Sequence, residues 1–426
     1  MAEIRPFRAV KYNLKNVDIK KVVAPPYDII SEKQQDELYK TSEQNIVRLI
    51  LGKEVAGDAD KNNKYSRAAE FFAKWQNENV LVKEDKEAVY IYMQDFEFDG
   101  KKYTRTGFLC LLKQEPLFGG VIYPHERTLS KPKADRLNLT RACKTNFSPI
   151  FGLYNDDGDV NSVIKETVAN KPEIDFYDEN NERHRLWILK NEAKLSKIVS
   201  SLKDKKIFIA DGHHRYETAM NYAKEMKEQG KDGNFNFVLT FLCDMDDKGL
   251  AIFPTHRVVK DDSINLAKFM TDLEQYFVIQ KSDKNKIKSD LENEFNNKKI
   301  AFGFYTGTDC FVLILKDKAG LANLINGSEY YRELDVAVLE SLIFERILNF
   351  SKEDIAQQNH LKYIKDFDET IQAIDSKNFN LAFIMNPTRI EQIKNVSLAG
   401  EVMPQKSTYF YPKLLTGLVI NKFEVK

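Results

Sequence analysis

The sequence has no surplus of positive charge: 64 Lys and Arg are balanced by 64 Asp and Glu over 426 residues, a formal net charge of zero. Proteins that live on nucleic-acid backbone draw most of their sequence-independent affinity from cations that neutralise phosphates and release counterions. A balanced chain without a basic tail argues against nucleic acid or an anionic membrane as the main partner. Cysteine is scarce as well. Cys110, Cys143, Cys243 and Cys310 stand far apart with no C-x-x-C pair, which excludes a disulfide scaffold. No apolar run reaches the roughly 18 residues of a membrane helix. The opening MAEIRPFRAV carries Glu3, Arg5 and Arg8 in place of the apolar core of a secretory signal. The expectation is a cytoplasmic protein with reduced thiols.

Glycine and proline are thinly spread instead of gathered into linkers, and no internal repeat or low-complexity tract interrupts the chain. Length alone, at one domain per roughly 100–200 residues, suggests two or three domains, with regions 1–115, 116–260 and 261–426 as the division. The 42% of hydrophobic residues and 12% of aromatics fill such cores, so disorder is excluded.

Periodicity predicts an α+β chain with mixed sheets and helices. Ala68, Ala69, Phe72 and Trp75 follow helical spacing. Val89–Phe98 and Tyr103–Leu112 flank Asp99-Gly100, a hairpin signal because a two-residue turn wants positive φ at both central positions. The Pro-punctuated stretch from Pro116 to Tyr154 reads as loop-rich. Lys206–Ala210 reads as a strand, Asp211–His214 as a turn, and Tyr216, Ala219, Met220, Ala223 and Met226 as the buried face of a helix. Two strands follow, Phe237–Cys243 and Leu250–Val259, and the last third alternates helices with strands. The charged run from Lys281 to Asn297 reads as a solvated helix face.

Four clusters carry candidate chemistry. In Asp211-Gly212-His213-His214-Arg215 a turn leaves a strand and enters a helix, where unpaired N–H groups and the positive end of the helix dipole make an anion site. Gly212 permits close approach, Asp211 caps the helix or holds a divalent cation, Mg²⁺ above all, and His213, His214 and Arg215 add donors. Zinc is a poor reading, since adjacent histidines diverge by roughly 100° and no cysteine is near in sequence. His125-Glu126-Arg127-Thr128 joins a possible general base, His125 or Glu126, to anion-binding cations. Thr255, His256 and Arg257 stand at the end of the strand expected to lie near the Asp-Gly-His-His turn. Gly400 to Thr408 resembles a phosphate loop, but Gln405 replaces its second glycine and Pro404 removes a backbone N–H, so only Lys406, Ser407 and Thr408 remain as individual phosphate contacts.

These runs also carry a resemblance. PPYDII (Pro25–Ile30), HERT (His125–Thr128), SPIFGLY (Ser148–Tyr154), IADGHHRYETA (Ile209–Ala219), PTHR (Pro254–Arg257) and GEVMPQKSTYFYPKLLTGL (Gly400–Leu418) look like the bacterial domain-of-unknown-function family numbered 1015, in order along nearly the whole chain. More distantly, Asp211–Arg215 resembles the phosphate-binding signature of the ParB and sulfiredoxin superfamily, which includes kinases of free L-serine. The resemblance implies such a core enlarged by further α+β layers, with Asp211, His213, His214 and Arg215 binding or acting on the phosphate. The catalytic carboxylate of those kinases lies outside the motif, with Glu126 and Asp28 as candidates here.

The expected activity is phosphoryl transfer to a small hydroxylated metabolite, most simply L-serine forming O-phosphoserine or the reverse. ATP, ADP or pyrophosphate would be the donor, with Mg²⁺. Positioning and a cationic clamp carry such chemistry. The alternatives are a ParB-like nucleotide-binding module on DNA, against which the charge balance speaks, and a sulfiredoxin-like redox activity needing Cys143 or Cys243 beside the phosphate turn.

Overall fold

Runs of β-branched and aromatic residues build a large sheet in each of two units into which the chain divides, and short two-stranded pairings accompany them. The computed structural model describes residues 1–98, 100–126, 128 and 130–424. One unit comprises Met1–Pro124, Thr128–Leu250 and Pro412–Lys426; the other comprises His125–Arg127 and Ala251–Tyr411. This differs from three consecutive regions. Strand Lys101–Lys113 pairs through Gly107–Lys113 with Phe237–Cys243, so residues on both sides of position 115 share one sheet. Residues 412–424 rejoin the first unit, where Ile420 bridges Val10 and Thr416 bridges Ala24.

The sheet of the first unit runs in the order Ile122–Tyr123, Ile207–Asp211, Ile150–Tyr154, Phe237–Asp244, Lys101–Lys113, Val89–Phe98, Arg183–Leu189, Ile174–Tyr177. Phe237–Asp244 is buried at every position, as its unbroken apolar run requires of a strand covered on both faces. The expected hairpin is present, with Phe98 opposite Lys101 and Gly100 at φ +70°; Asp99 lies outside the described residues. One core packs Ile91, Phe108, Ile150 and Leu242 with Val160, Ile164, Ile198 and Leu202. A second joins Tyr12, Phe72, Trp75 and Phe147 to Ile420. Helix Lys64–Asn77, fixed by an Asn63–Ser66 capping box, buries Ala68, Phe72 and Trp75 in it.

Two expectations change. The stretch expected as loop contains helix Ser130–Cys143. Pro132 does not break that helix, because it falls in the first turn, where its missing N–H would have had no intrahelical partner. The two strands expected after residue 236 part company: Phe237–Asp244 stays in the first sheet, while His256–Val259 enters the second. That second sheet is antiparallel, in the order Phe277–Ser282, Cys310–Leu315, Ala301–Tyr305, Leu381–Ile384, His256–Val259, Leu361–Ile364. Helix Ile287–Asn296, within the charged run, buries Ile287 and Leu291 and exposes its other faces. Among the described residues, no helix is long and apolar enough to cross a membrane.

Candidate functional site

The strand–turn–helix of the first unit forms as its sequence implies. Strand Ile207–Asp211 is interrupted by a register shift: Ile209 faces Gly152, and Asp211 faces Phe151. Such a bulge re-aims the residue that follows it. Gly212 then takes φ +90°, ψ 27° as N-cap of helix His213–Glu228, with no side chain capping it. Only glycine adopts that backbone cheaply. The first-turn amides have no intrahelical acceptor and sit at the positive end of a 16-residue helix. Intrahelical bonding starts with the Tyr216 amide donating to the Gly212 carbonyl at 3.0 Å.

Asp211 does not cap the helix, since Gly212 is the N-cap, and its two oxygens face protein cations. Arg215 Nη2 donates to Oδ2 at 2.6 Å and Lys413 Nζ donates to Oδ1. Arg215 also donates to the Pro149 carbonyl. Burial pushes the Asp211 carboxyl up, but the Lys413 and Arg215 charges outweigh it and hold the group well below the usual carboxylate range. The two protein cations already on this carboxylate repel a third, so this donor set does not fit Mg²⁺ bound directly to Asp211. His213 is buried at the helix start and His214 is half-buried beside it.

Lys413 carries no sequence signal of this role beyond its place in the GEVMPQKSTYFYPKLLTGL run. Its position is set by a buried clamp. Gln94 Nε2 donates to the Lys413 carbonyl at 3.1 Å, and Arg105 Nη2 donates to the Pro412 carbonyl and to Gln94 Oε1. The Arg105 guanidinium lies over the Phe151 ring at 4.9 Å, and burial lowers its pKa. From the HERT run, Thr128 reaches the same helix as the turn: its Oγ1 donates to Glu217 Oε1 at 2.8 Å, and Lys133 donates to Oε2 at 2.8 Å.

The second unit gathers His125, Thr255, His256, Arg257, Lys406, Ser407 and Thr408, and uses most of them differently from expectation. Thr255, His256 and Arg257 open strand His256–Val259 instead of closing one, and all three are buried. Arg257 donates to the carbonyls of Thr255 and Lys406 and lies 5.4 Å from the Tyr363 ring centroid. His256 Nδ1 accepts the Met385 amide at 3.1 Å; burial first, then the Arg257 charge, lower its pKa to about 3, which keeps the ring neutral. Ser407 donates to the Pro404 carbonyl at 2.6 Å, closing the loop on itself, and Lys406, at φ +55°, is exposed. His125 Nε2 lies 2.8 Å from Thr408 Oγ1. Its carbonyl accepts the Met403 amide at 2.8 Å, and Glu126 forms a parallel bridge with Met403. Arg127 lies outside the described residues.

All four cysteines are free and buried. Burial pushes the Cys143 thiol up to about 12 and the Cys243 thiol well above its ordinary value, the opposite of what a redox nucleophile needs.

Residues 4–337 match the family described as "Protein of unknown function (DUF1015)". No curated protein sequence matches the chain significantly. Solved structures similar to it include a free serine kinase variant in complex with ADP, 13% identical, covering 70% of this chain and 89% of that one at a TM-score of 0.35. SbnI with a C-terminal truncation, from Staphylococcus aureus, is 11% identical and covers 74% of this chain and 87% of its own at 0.37. A conserved hypothetical protein from Pyrococcus furiosus is 14% identical, with 70% and 91% covered at 0.35.

Proposed function

We propose, for a chain that belongs to the DUF1015 family, that the Asp211–Arg215 turn holds a phosphoryl group for transfer to or from a small hydroxylated metabolite, L-serine being the first candidate. One observation carries this reading. The glycine N-cap leaves the first-turn amides of a long helix without a capping side chain, in a turn that also carries His213, His214 and Arg215 and whose Asp211 pairs with Lys413. An anion with several oxygens is what such donors select. Asp211 is a positioning residue here: it ion-pairs with Arg215 and Lys413 and sets where their charges lie. His214 and Lys413 are the groups assigned to the phosphoryl oxygens, and the Gly212 and His213 amides complete the cradle. The donor, ATP, ADP or pyrophosphate, is a nucleotide or diphosphate that brings its own Mg²⁺.

The test is direct. The full chain is incubated with Mg²⁺, L-serine and each donor in turn, and phosphorus is followed by NMR. A new phosphomonoester is expected, falling about 100-fold in His214→Ala and Lys413→Met, a loss typical of removing a donor to a transferring group. No phosphomonoester from any donor, or full activity in both variants, removes the assignment.

A further inference from the structure

The hairpin at the far edge of the first sheet makes a second, unrelated cluster. Strand Ile174–Tyr177 ends at Asp178, and the chain turns through residues 179–181 and returns as strand Arg183–Leu189. Glu182 and His184 are two apart in extended chain, so they share a face of the strand. The Asp178 amide donates to the Glu182 carbonyl at 2.9 Å, which brings the third residue across the turn. One donor atom from each of Asp178, Glu182 and His184 lies within 4.8 Å of the other two.

His184 supplies the observation that points to a ligand. Its side chain is 0% exposed, and its Nε2 has no hydrogen-bond partner. Asp178 Oδ2 lies 3.3 Å from that nitrogen, within ion-pair range. Two donor atoms each about 2.1 Å from a tetrahedral ion stand about 3.4 Å apart, with both lone pairs aimed at a common point and not at each other. The surroundings hold both groups in that pose. His184 Nδ1 is 2.8 Å from the Tyr92 hydroxyl, and the tautomer that leaves Nε2 bare donates there. Asp178 Oδ1 accepts the amides of Asn180 and Glu182, each at 2.9 Å, leaving Oδ2 for the cluster. Glu182 is buried, while Asp178 keeps 18% of its side chain exposed and offers the path in.

We infer that Asp178, Glu182 and His184 bind one first-row divalent transition ion of the zinc class, with solvent completing the coordination. A nitrogen donor among only three protein ligands favours zinc or cobalt over calcium, magnesium or manganese, which want more oxygens or retained waters. The site is independent of the phosphate turn and makes no use of the cysteines.

The full chain, stripped with chelator and dialysed, is titrated with Co²⁺ under reducing conditions and read by visible absorption, with Zn²⁺ uptake measured by calorimetry. One equivalent of Co²⁺ giving d–d bands without thiolate charge-transfer absorption is expected, displaced by Zn²⁺. Affinity falls at least about tenfold in Glu182→Gln and in Asp178→Asn, which retains the Oδ1 acceptor. Zinc raises the melting temperature of the wild type more than that of either variant. Absence of a stoichiometric equivalent in the wild type overturns the site. So does thiolate absorption, or unchanged binding in both variants once circular dichroism confirms their fold.

Discussion

The turn at Asp211–Arg215 and the loop at Pro404–Thr408 look alike as strings of residues, each mixing small polar groups with cations, yet they use them in opposite ways. At the first, two cations sit on a carboxylate, and the helix amides behind it have no capping side chain. At the second, Arg257 and Ser407 donate to main-chain carbonyls, and the His256 ring accepts a main-chain amide. A cation bound to backbone is structural: it satisfies acceptors that would otherwise be buried without partners. A cation held on a carboxylate beside an uncapped helix can be shared with an incoming anion. What separates a binding site from a scaffold here is the partner of each side chain, which the motif does not state.

The largest effect that tests this distinction is in Arg257→Ala. Removing a buried guanidinium and leaving two carbonyls unpaired should cost the second unit about 3–5 kcal/mol, read by chemical denaturation, while phosphate affinity of the folded fraction stays the same. A variant of native stability that no longer binds phosphate would reverse the roles of the two loops. Next is a pH effect. His256 is neutral when folded, with a pKa lowered to about 3 from 6.5. The unfolded chain therefore binds the extra proton, and stability is complete above pH 6.5 and falls as pH drops. By pH 5 the wild type should lose about 2 kcal/mol more than His256→Gln, by urea midpoints at each pH; parallel profiles would refute a buried neutral ring.

Gly212→Ala comes third. Strain at φ +90° should cost about 1–2 kcal/mol. The new Cβ would also meet the Arg215 guanidinium at 3.0 Å, so phosphate binding should weaken as well. Gly212→Asn, which tolerates positive φ, should recover part of the stability and none of the binding. Smallest is Thr408→Val, which removes the hydroxyl facing His125 and should cost about 1 kcal/mol by thermal denaturation.

Local features were legible in the sequence. The hairpin around Gly100 and the strand–turn–helix at Asp211 each form within a short segment whose turn residue dictates the backbone. Long-range pairings were not. Lys413 meets Asp211 across 202 residues, and no periodicity records that distance. The Arg105 and Gln94 clamp was hidden for the same reason, because an arginine in an alternating strand looks solvent-facing until the carbonyl it serves is known. Helix Ser130–Cys143 was missed because proline was counted as a breaker without regard to its place in the first turn. The chain leaves one sheet for the other near residue 250, within a run of continuous strand signal, so no local pattern marks the passage.

The interleaving of the two units sets an order of assembly. Asp211 and Arg215 belong to segment Thr128–Leu250, whereas Lys413 arrives only after the residues Ala251–Tyr411 of the other unit. During synthesis the carboxylate is therefore made with one of its two cations, and the second emerges once the whole intervening unit has left the ribosome. A nascent chain stalled before Lys413 would carry the strand, the glycine and the helix but an Asp211 still lacking Lys413, so completion of the turn reports that translation has passed through both units.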